Sequence, residues 1–361
     1  GCNEDAAGPG GRQAHAILAR DFAPAPRVYV VAGGPGAVAI ATGTSLRVLD
    51  NAIGDTLFTA PWSDTLSGGT ITSSLVVAPT RRGAAVFARP GGARLVADTL
   101  DPASAGGTVA TAIAVGTAGN VLVLLRADGQ LRGLELPGGR ERWRIAGQCG
   151  ASPCGSPRLV ALAGGFVAAS GRRVDGSGSF ITVVDAATGA TRPTGFAPIV
   201  AWAASIAAVD TVDLAVMDQT NDSLFLMRSI TGNRIWGRGL RVQSQNPPAS
   251  LVGSPSPISL DGAVLTSLRS GDSPAGVAFE RANGNVRWER AAFIPFAACG
   301  TRYLARDADG WRLYDARTGQ VYLRVAPFRA ADTTLIPRVP VVAGDIVVSY
   351  TSRTALRAYA C

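Results

Sequence analysis

Lysine is missing altogether: the 34 basic residues of this 361-residue chain are all arginines, and they set a formal net charge of +8. They are spread along the chain without a dense cluster, so no nucleic-acid partner is expected. Histidine is nearly absent as well. The single His15 excludes a Ser-His-Asp triad and a multi-histidine metal site. No Cys-x-x-Cys-His occurs, which excludes covalent attachment of a c-type haem. Nor is there an uninterrupted apolar run of the roughly 20 residues that a membrane span needs. The longest candidate, residues 108–125, is broken by glycines and Asn120. Charged residues make up only 17%, against 47% hydrophobic residues and 44 glycines, a balance that predicts a soluble, well-packed all-β protein rich in turns.

What is present is a repeat. Residues 223–236 (SLFLMRSITGNRIW) read as a strand, a tight turn and the start of a second strand, and the same pattern returns in 276–288 and 130–143. Seven turn glycines, Gly54, Gly92, Gly139, Gly189, Gly232, Gly284 and Gly319, recur at intervals of 35–52 residues, the mark of a repeat architecture. Four residues after each stands Phe58, Val96, Trp143, Pro193, Trp236, Trp288 or Leu323, bulky and apolar in all but one copy. Trp143, Trp236 and Trp288 are therefore read as packing residues. Four residues before the glycine stands Asp50, Glu135, Asp185, Glu280 or Asp315 in five copies. A carboxylate there can accept backbone N–H groups of the turn, a structural role that removes any need for five catalytic acids.

Two further strand-like runs precede each copy. In the third copy the expected strands are 108–115, 120–126, 130–136 and 140–145. Four strands in such a unit make one blade of a β-propeller. The blades are expected at about 28–60, 70–100, 108–145, 158–197, 199–240, 254–293 and 294–328. Three more strands follow at 338–342, 345–351 and 354–360, one short of a blade. The segment 14–21 can supply the fourth, closing the ring and covering two sheet edges. The expectation is thus an all-β, eight-bladed β-propeller of four-stranded antiparallel blades over 14–361, its last blade closed by the N-terminal strand. The alternative is seven blades.

The first residues have a different character. Gly1-Cys2 resembles the end of a bacterial lipobox, which makes Cys2 the candidate lipidation site and 1–13 a flexible tether. The tether spans at most about 35 Å, which would hold a lipid-anchored propeller near the membrane. An arbitrary start with an incidental cysteine is the plainer reading. The other four cysteines suit an oxidising compartment. Cys149 and Cys154 share one loop with no histidine near it, so a disulfide is expected there; Cys299 and Cys361 can pair or stay free.

The pattern around the turn glycine, VVDAATGATRP (183–193), FERANGNVRW (279–288) and LYDARTGQVYL (313–323), resembles the pyrroloquinoline-quinone-like propeller repeat. With the lipobox-like start, the chain resembles the lipoprotein propellers of outer-membrane protein assembly. That resemblance implies a non-enzymatic, periplasm-facing scaffold docked to an integral membrane protein complex, with no cofactor. An accessory subunit of a respiratory or photosynthetic electron-transfer complex fits equally. The copies at Gly54, Gly92 and Gly189 lack the tryptophan. The enzymatic alternative is a quinone-dependent dehydrogenase, which shares only the blade repeat; its adjacent-cysteine disulfide has no counterpart here. A carbohydrate binder using exposed tryptophans is a third reading, weakened because the repeat tryptophans are needed for packing.

Two acidic stretches, 306–310 and 218–222, read as hairpin turns, since both lack the distal glutamate of a calcium loop. Gly33-Gly34-Pro35-Gly36 reads as a strand connector, as no helix pattern follows it. The surface that varies is the blade end carrying the second-to-third loops and the connections to the next blade. Long segments are expected there at 62–69, 146–157, 172–178, 241–253, 269–275 and 330–336. Binding residues concentrate in loops held by a rigid scaffold. Trp62, Arg172, Arg173, Gln243, Asn246, Pro247 and Pro248 are the candidate partner-binding residues, with the 149–154 loop.

Overall fold

The computed structural model describes residues 18–21, 28–51, 54–64, 69–81, 83–89, 91–97, 108–116, 119–149, 153–173, 178–192, 204–209, 213–218, 223–228, 231, 233–239, 257–270, 273–325, 340–351 and 355–361. Cys2, His15, Gln243, Asn246, Pro247 and Pro248 lie outside them.

Among the described residues the elements are strands, with one short 3-10 turn at Ala163–Gly165. Among the described residues the strands form six four-stranded sheets and one eight-stranded sheet. The larger sheet is two such groups joined by a parallel pairing of Ala32 with Gly69 and Gly33 with Thr70. Within a group the strands pair antiparallel in chain order. The third runs Thr108–Gly116, Gly119–Arg126, Leu131–Glu135 and Glu141–Ile145, within a residue or so of the expected bounds. The expected loop 269–275 is a correction. Ala263–Ser270 and Ser273–Glu280 continue as paired strand to Ser270 opposite Ser273, so only two residues are left for the turn.

Burial explains why inner strands read as unbroken apolar runs. The second strands, such as Ala37–Ala41 and Ile346–Tyr350, are buried at every position because a neighbouring sheet covers each face. Outer strands such as Glu141–Ile145 bury few positions. The core is divided accordingly into clusters between successive groups. Val121, Val123 and Trp143 of the third group, for example, pack with Val167, Phe180 and Val184 of the fourth. One cluster joins the first group to the last, through Val30, Val38 and Ile40 against Ile346, Val348 and Leu356.

The first strand of each group touches that of the next, and Val341–Ala343 of the last returns to Tyr29–Gly34 of the first. Gly33 and Gly34 lie in that inner strand, where an added Cβ would overlap Ala343 and the carbonyl of Ile71 respectively. The N-terminal strand Leu18–Asp21 pairs with Ala355–Ala360, Leu18 opposite Ala358 and Asp21 opposite Ala355. It forms the outermost strand of the last group, as expected for the closing segment.

The repeat turn has one geometry. The N–H of Gly54, Gly92, Gly139, Gly189, Gly284 and Gly319 donates to the carbonyl four residues earlier. The six glycines have φ of 67–73°, the left-handed region that other residues enter at a cost of about 1–2 kcal/mol. The bulky residue after the turn packs on the turn of the next group as well as within its own. A Cβ on Gly92 would come within 2.6 Å of Phe58, on Gly189 within 2.6 Å of Trp143, and on Gly284 within 2.8 Å of Trp236. Trp143 and Trp236 also donate their indole N–H to the carbonyls of Ala186 and Arg281, at 2.7 and 2.6 Å.

Candidate functional site

An antiparallel four-strand meander has two unlike ends. Turns one-to-two and three-to-four lie at one end; the middle hairpin and the connection to the next group lie at the other. At the second end the structure fixes one long connection firmly. Cys149 and Cys154 form a disulfide with Cα atoms 5.5 Å apart. Their N–H groups donate to the carbonyls of Asp128 and Ala127, in the middle hairpin of the third group. From the fourth group, Arg173 donates from Nε to the carbonyl of Gln148 at 2.9 Å.

The bridge sits against two glycines, since a Cβ on Gly129 would stand 2.9 Å from Cys154 Sγ and one on Gly171 3.2 Å from its Cβ. The connection is thus pinned to both groups it joins. Beneath it Arg126 is buried, its Nε 3.8 Å from Asp128 Oδ1, while Asp128 also accepts the Gln130 N–H. This end presents a covalently clipped, partly basic ridge with Arg172 and Arg173 half-buried beside it.

Trp62 requires a correction. It is only 7% exposed and packs with Phe58 and Phe87, its ring centroid 6.3 Å from that of Phe87. It belongs to the core between the first two groups, where its large apolar area is removed from water, and it is not a surface contact residue.

A second disulfide joins Cys299 to Cys361, linking an inner strand to the end of the last group. Hydrogen bonds also tie the last group to the first. Asn51 Nδ2 donates to Asp345 Oδ1 at 2.8 Å, and the Val30 N–H donates to the Tyr350 hydroxyl at 3.0 Å.

The opposite end carries the repeat turns. Asp185 accepts the N–H groups of Ala187 and Thr188, and Asp315 those of Arg317 and Thr318. Those contacts, Thr318 foremost, hold the Asp315 carboxyl below its ordinary pKa. The two glutamates reach further: Glu135 meets Arg140 and Arg142, and Glu280 takes Arg287 in a two-point pair at 2.8 and 2.9 Å. Arg287, through that hydrogen bond, pulls the Glu280 carboxyl down. Burial pushes Glu141 up, but hydrogen bonds from Arg144 and Arg132 outweigh it and leave the carboxyl low.

In the 306–310 stretch Asp307 opposes Gly310 across a tight hairpin, and its carboxylate is engaged by Arg312 and the Tyr314 hydroxyl. Among the described residues no three His, Cys, Asp or Glu side chains converge where they could hold a metal ion. Among the described residues no helix is long and apolar enough to cross a membrane.

At this end, between the fifth and sixth groups, lies a groove of about 430 Å³ lined by Asp213, Leu226, Arg228, Ile235, Glu280, Arg281 and Arg287 among others. Sequence reasoning missed it. Its only local signal is the spacing of Arg228 and Arg281 at the ends of equivalent third strands, at a turn residue and just beyond it.

No family model and no curated relative match the chain in sequence. Solved structures do match it in fold. BamB from Moraxella catarrhalis is similar with a TM-score of 0.64 and 18% identity, over 96% of this chain and 99% of its own. Sqt1 from Saccharomyces cerevisiae matches with a TM-score of 0.62 and 12% identity, over 97% and 100%. Quinohemoprotein alcohol dehydrogenase from Comamonas testosteroni matches with a TM-score of 0.63 and 10% identity, over 96% of this chain and 76% of its own. The likeness at these identities is one of architecture: the chain has the β-propeller fold.

Proposed function

We propose that the chain is a non-catalytic, eight-bladed propeller scaffold that docks to a multi-subunit membrane protein complex through its long-loop end. The blade number is supported by the cyclic order of inner-strand contacts and by the pairing of Leu18–Asp21 with the last group. In the same reading, residues 14–361 form one propeller domain. Residues 1–13 tether it through lipid on Cys2 to the periplasmic side of a bacterial membrane, where the two disulfides are at home.

The observation that carries the docking reading is the clipped connection at Cys149–Cys154. It is the long non-repeating feature held rigid from two sides, and a preordered surface loses less entropy on binding. Arg172, Arg173 and residues 241–253 complete the proposed contact face. Outer-membrane protein assembly is the partner system that the repeat resemblance supplies; an electron-transfer complex of the inner membrane is the other.

Purification from native membranes in mild detergent, followed by mass spectrometry, tests both partner and anchor. Co-purification of membrane subunits and an acylated Cys2 are expected. Exchanging 241–253 and 146–157 for short turns should release the complex, and unchanged association overturns the docking face. Addition of the quinone with calcium should leave no stoichiometric chromophore on the protein.

A further inference from the structure

The groove between the fifth and sixth groups lies at the repeat-turn end, away from the docking face proposed above. It is built around a buried carboxylate. Asp213 is only 2% exposed and is clamped by two arginines from successive groups: Arg228 Nε at 3.2 Å from Oδ1 and Arg281 Nη2 at 2.9 Å from Oδ2. Glu280, the other acid of the lining, is occupied by both arms of Arg287. Arg287 also lies 4.0 Å from Asp261, so three guanidinium groups stand among three carboxylates, and Asp213 is shared by two of them.

Arg228 is the arginine that keeps donors for an incoming group. Its Nε is fixed on Asp213, its side chain is 53% exposed, and its Nη groups have no partner among the described residues. Beside it lies an apolar strip. Leu226 lines it but is buried in the core, and Ile235, 39% exposed, supplies the accessible apolar surface. Ile235 belongs to Arg234–Gly239, the outermost strand of its sheet, whose outer edge has no strand partner among the described residues.

We propose that this groove binds an extended acidic segment of a partner protein. An aspartate or glutamate side chain pairs with the Nη groups of Arg228, and the adjacent apolar residue lies on Ile235. The backbone runs beside the open edge of Arg234–Gly239, the arrangement used when peptides add to a sheet. Charge complementarity selects the acid, because an incoming carboxylate meets donors already aimed by Asp213 and satisfies the unshared part of Arg228. Preordering of Arg228 removes much of the entropy that a free arginine loses on binding. The apolar neighbour distinguishes a peptide from a free anion, which has nothing to place on Ile235.

The test uses the full chain and a capped, fluorescein-labelled hexapeptide of alternating glutamate and leucine, read by fluorescence anisotropy. Its glutamine-for-glutamate counterpart should bind about tenfold more weakly, the worth of one charge-assisted hydrogen bond. Arg228→Gln should cost a similar factor. Arg281 stays on Asp213 in that variant, so the buried carboxylate keeps a partner. Ile235→Ser should weaken the peptide several-fold.

Arg173→Gln, at the other end, should leave peptide affinity unchanged, so loss of docking through the long loops and loss of this site are read separately. In the unaltered protein the Arg228 Nε–H resonance should shift on adding peptide, a readout that does not depend on any variant folding. Equal affinity for the glutamine peptide overturns the proposal. So does indifference to both Arg228→Gln and Ile235→Ser, or full displacement by millimolar acetate, which would mark a small-anion site instead.

Discussion

Trp143 does two jobs at once: its ring covers Gly189 of the next group, and its N–H satisfies the carbonyl of Ala186. Both are lost on truncation, so Trp143→Ala should cost about 3–5 kcal/mol in urea unfolding. Gly189→Ala should also destabilise, because a side chain there meets both a φ of 73° and the Trp143 ring. Asp315 gives a pH signature. Its folded-state value is depressed by the Thr318 contacts, so the folded state binds its proton less readily than the unfolded chain. The stability it supplies is present above the ordinary carboxylate value and is lost as pH falls below about 4 towards the folded value. Asp315→Asn keeps an acceptor without the charge. The fall in urea midpoint between pH 5 and pH 3 should therefore be smaller in that variant than in the parent. The turn carboxylates were legible in the sequence by spacing, yet only aspartate closes its own turn. The longer glutamates at 135 and 280 reach arginines across the hairpin, a choice of side-chain length that spacing does not express.

Among elements, the two crosslinks differ in what they close. Cys149–Cys154 encloses a separation of 5 residues and Cys299–Cys361 one of 62. By loop-closure entropy, replacing the first pair with alanine should cost about 2 kcal/mol and the second about 4 kcal/mol. Denaturant midpoints of the two double variants under non-reducing conditions check the order; a larger loss from the short bridge would contradict it. The closing strand Leu18–Asp21 is the other element with a distant partner. Removing residues 1–21 should expose the edge of Ala355–Ala360, lower the melting temperature and promote self-association, read by size-exclusion chromatography with light scattering. Strand positions were legible because apolar patterning and turn glycines are local. The 269–275 segment was misjudged because polar residues at a hairpin tip read as loop although the backbone pairing continues through them.

At the scale of the molecule, stability comes from contacts between groups, and the ring returns to its beginning through Tyr350, Asn51 and the N-terminal strand. Function is expected where the repeat is broken: the clipped connection at one end and the arginine groove at the other. The two proposed sites predict separable losses, with Arg228→Gln affecting acidic peptides and exchange of 146–157 affecting the proposed membrane complex. The sequence by itself determined the all-β class, the repeat turns and the outermost closing strand. Each follows from a few adjacent residues: a glycine forced into positive φ, an alternating or unbroken apolar run, a strand left over at each end. Tertiary structure alone decided that Trp143 and Trp236 dock on the following group, that Trp62 is core, and that Arg228 and Arg281 meet on Asp213. The inter-group contacts among these join residues tens of positions apart on neighbouring sheets, and the angle at which one sheet packs on the next leaves no mark in local sequence.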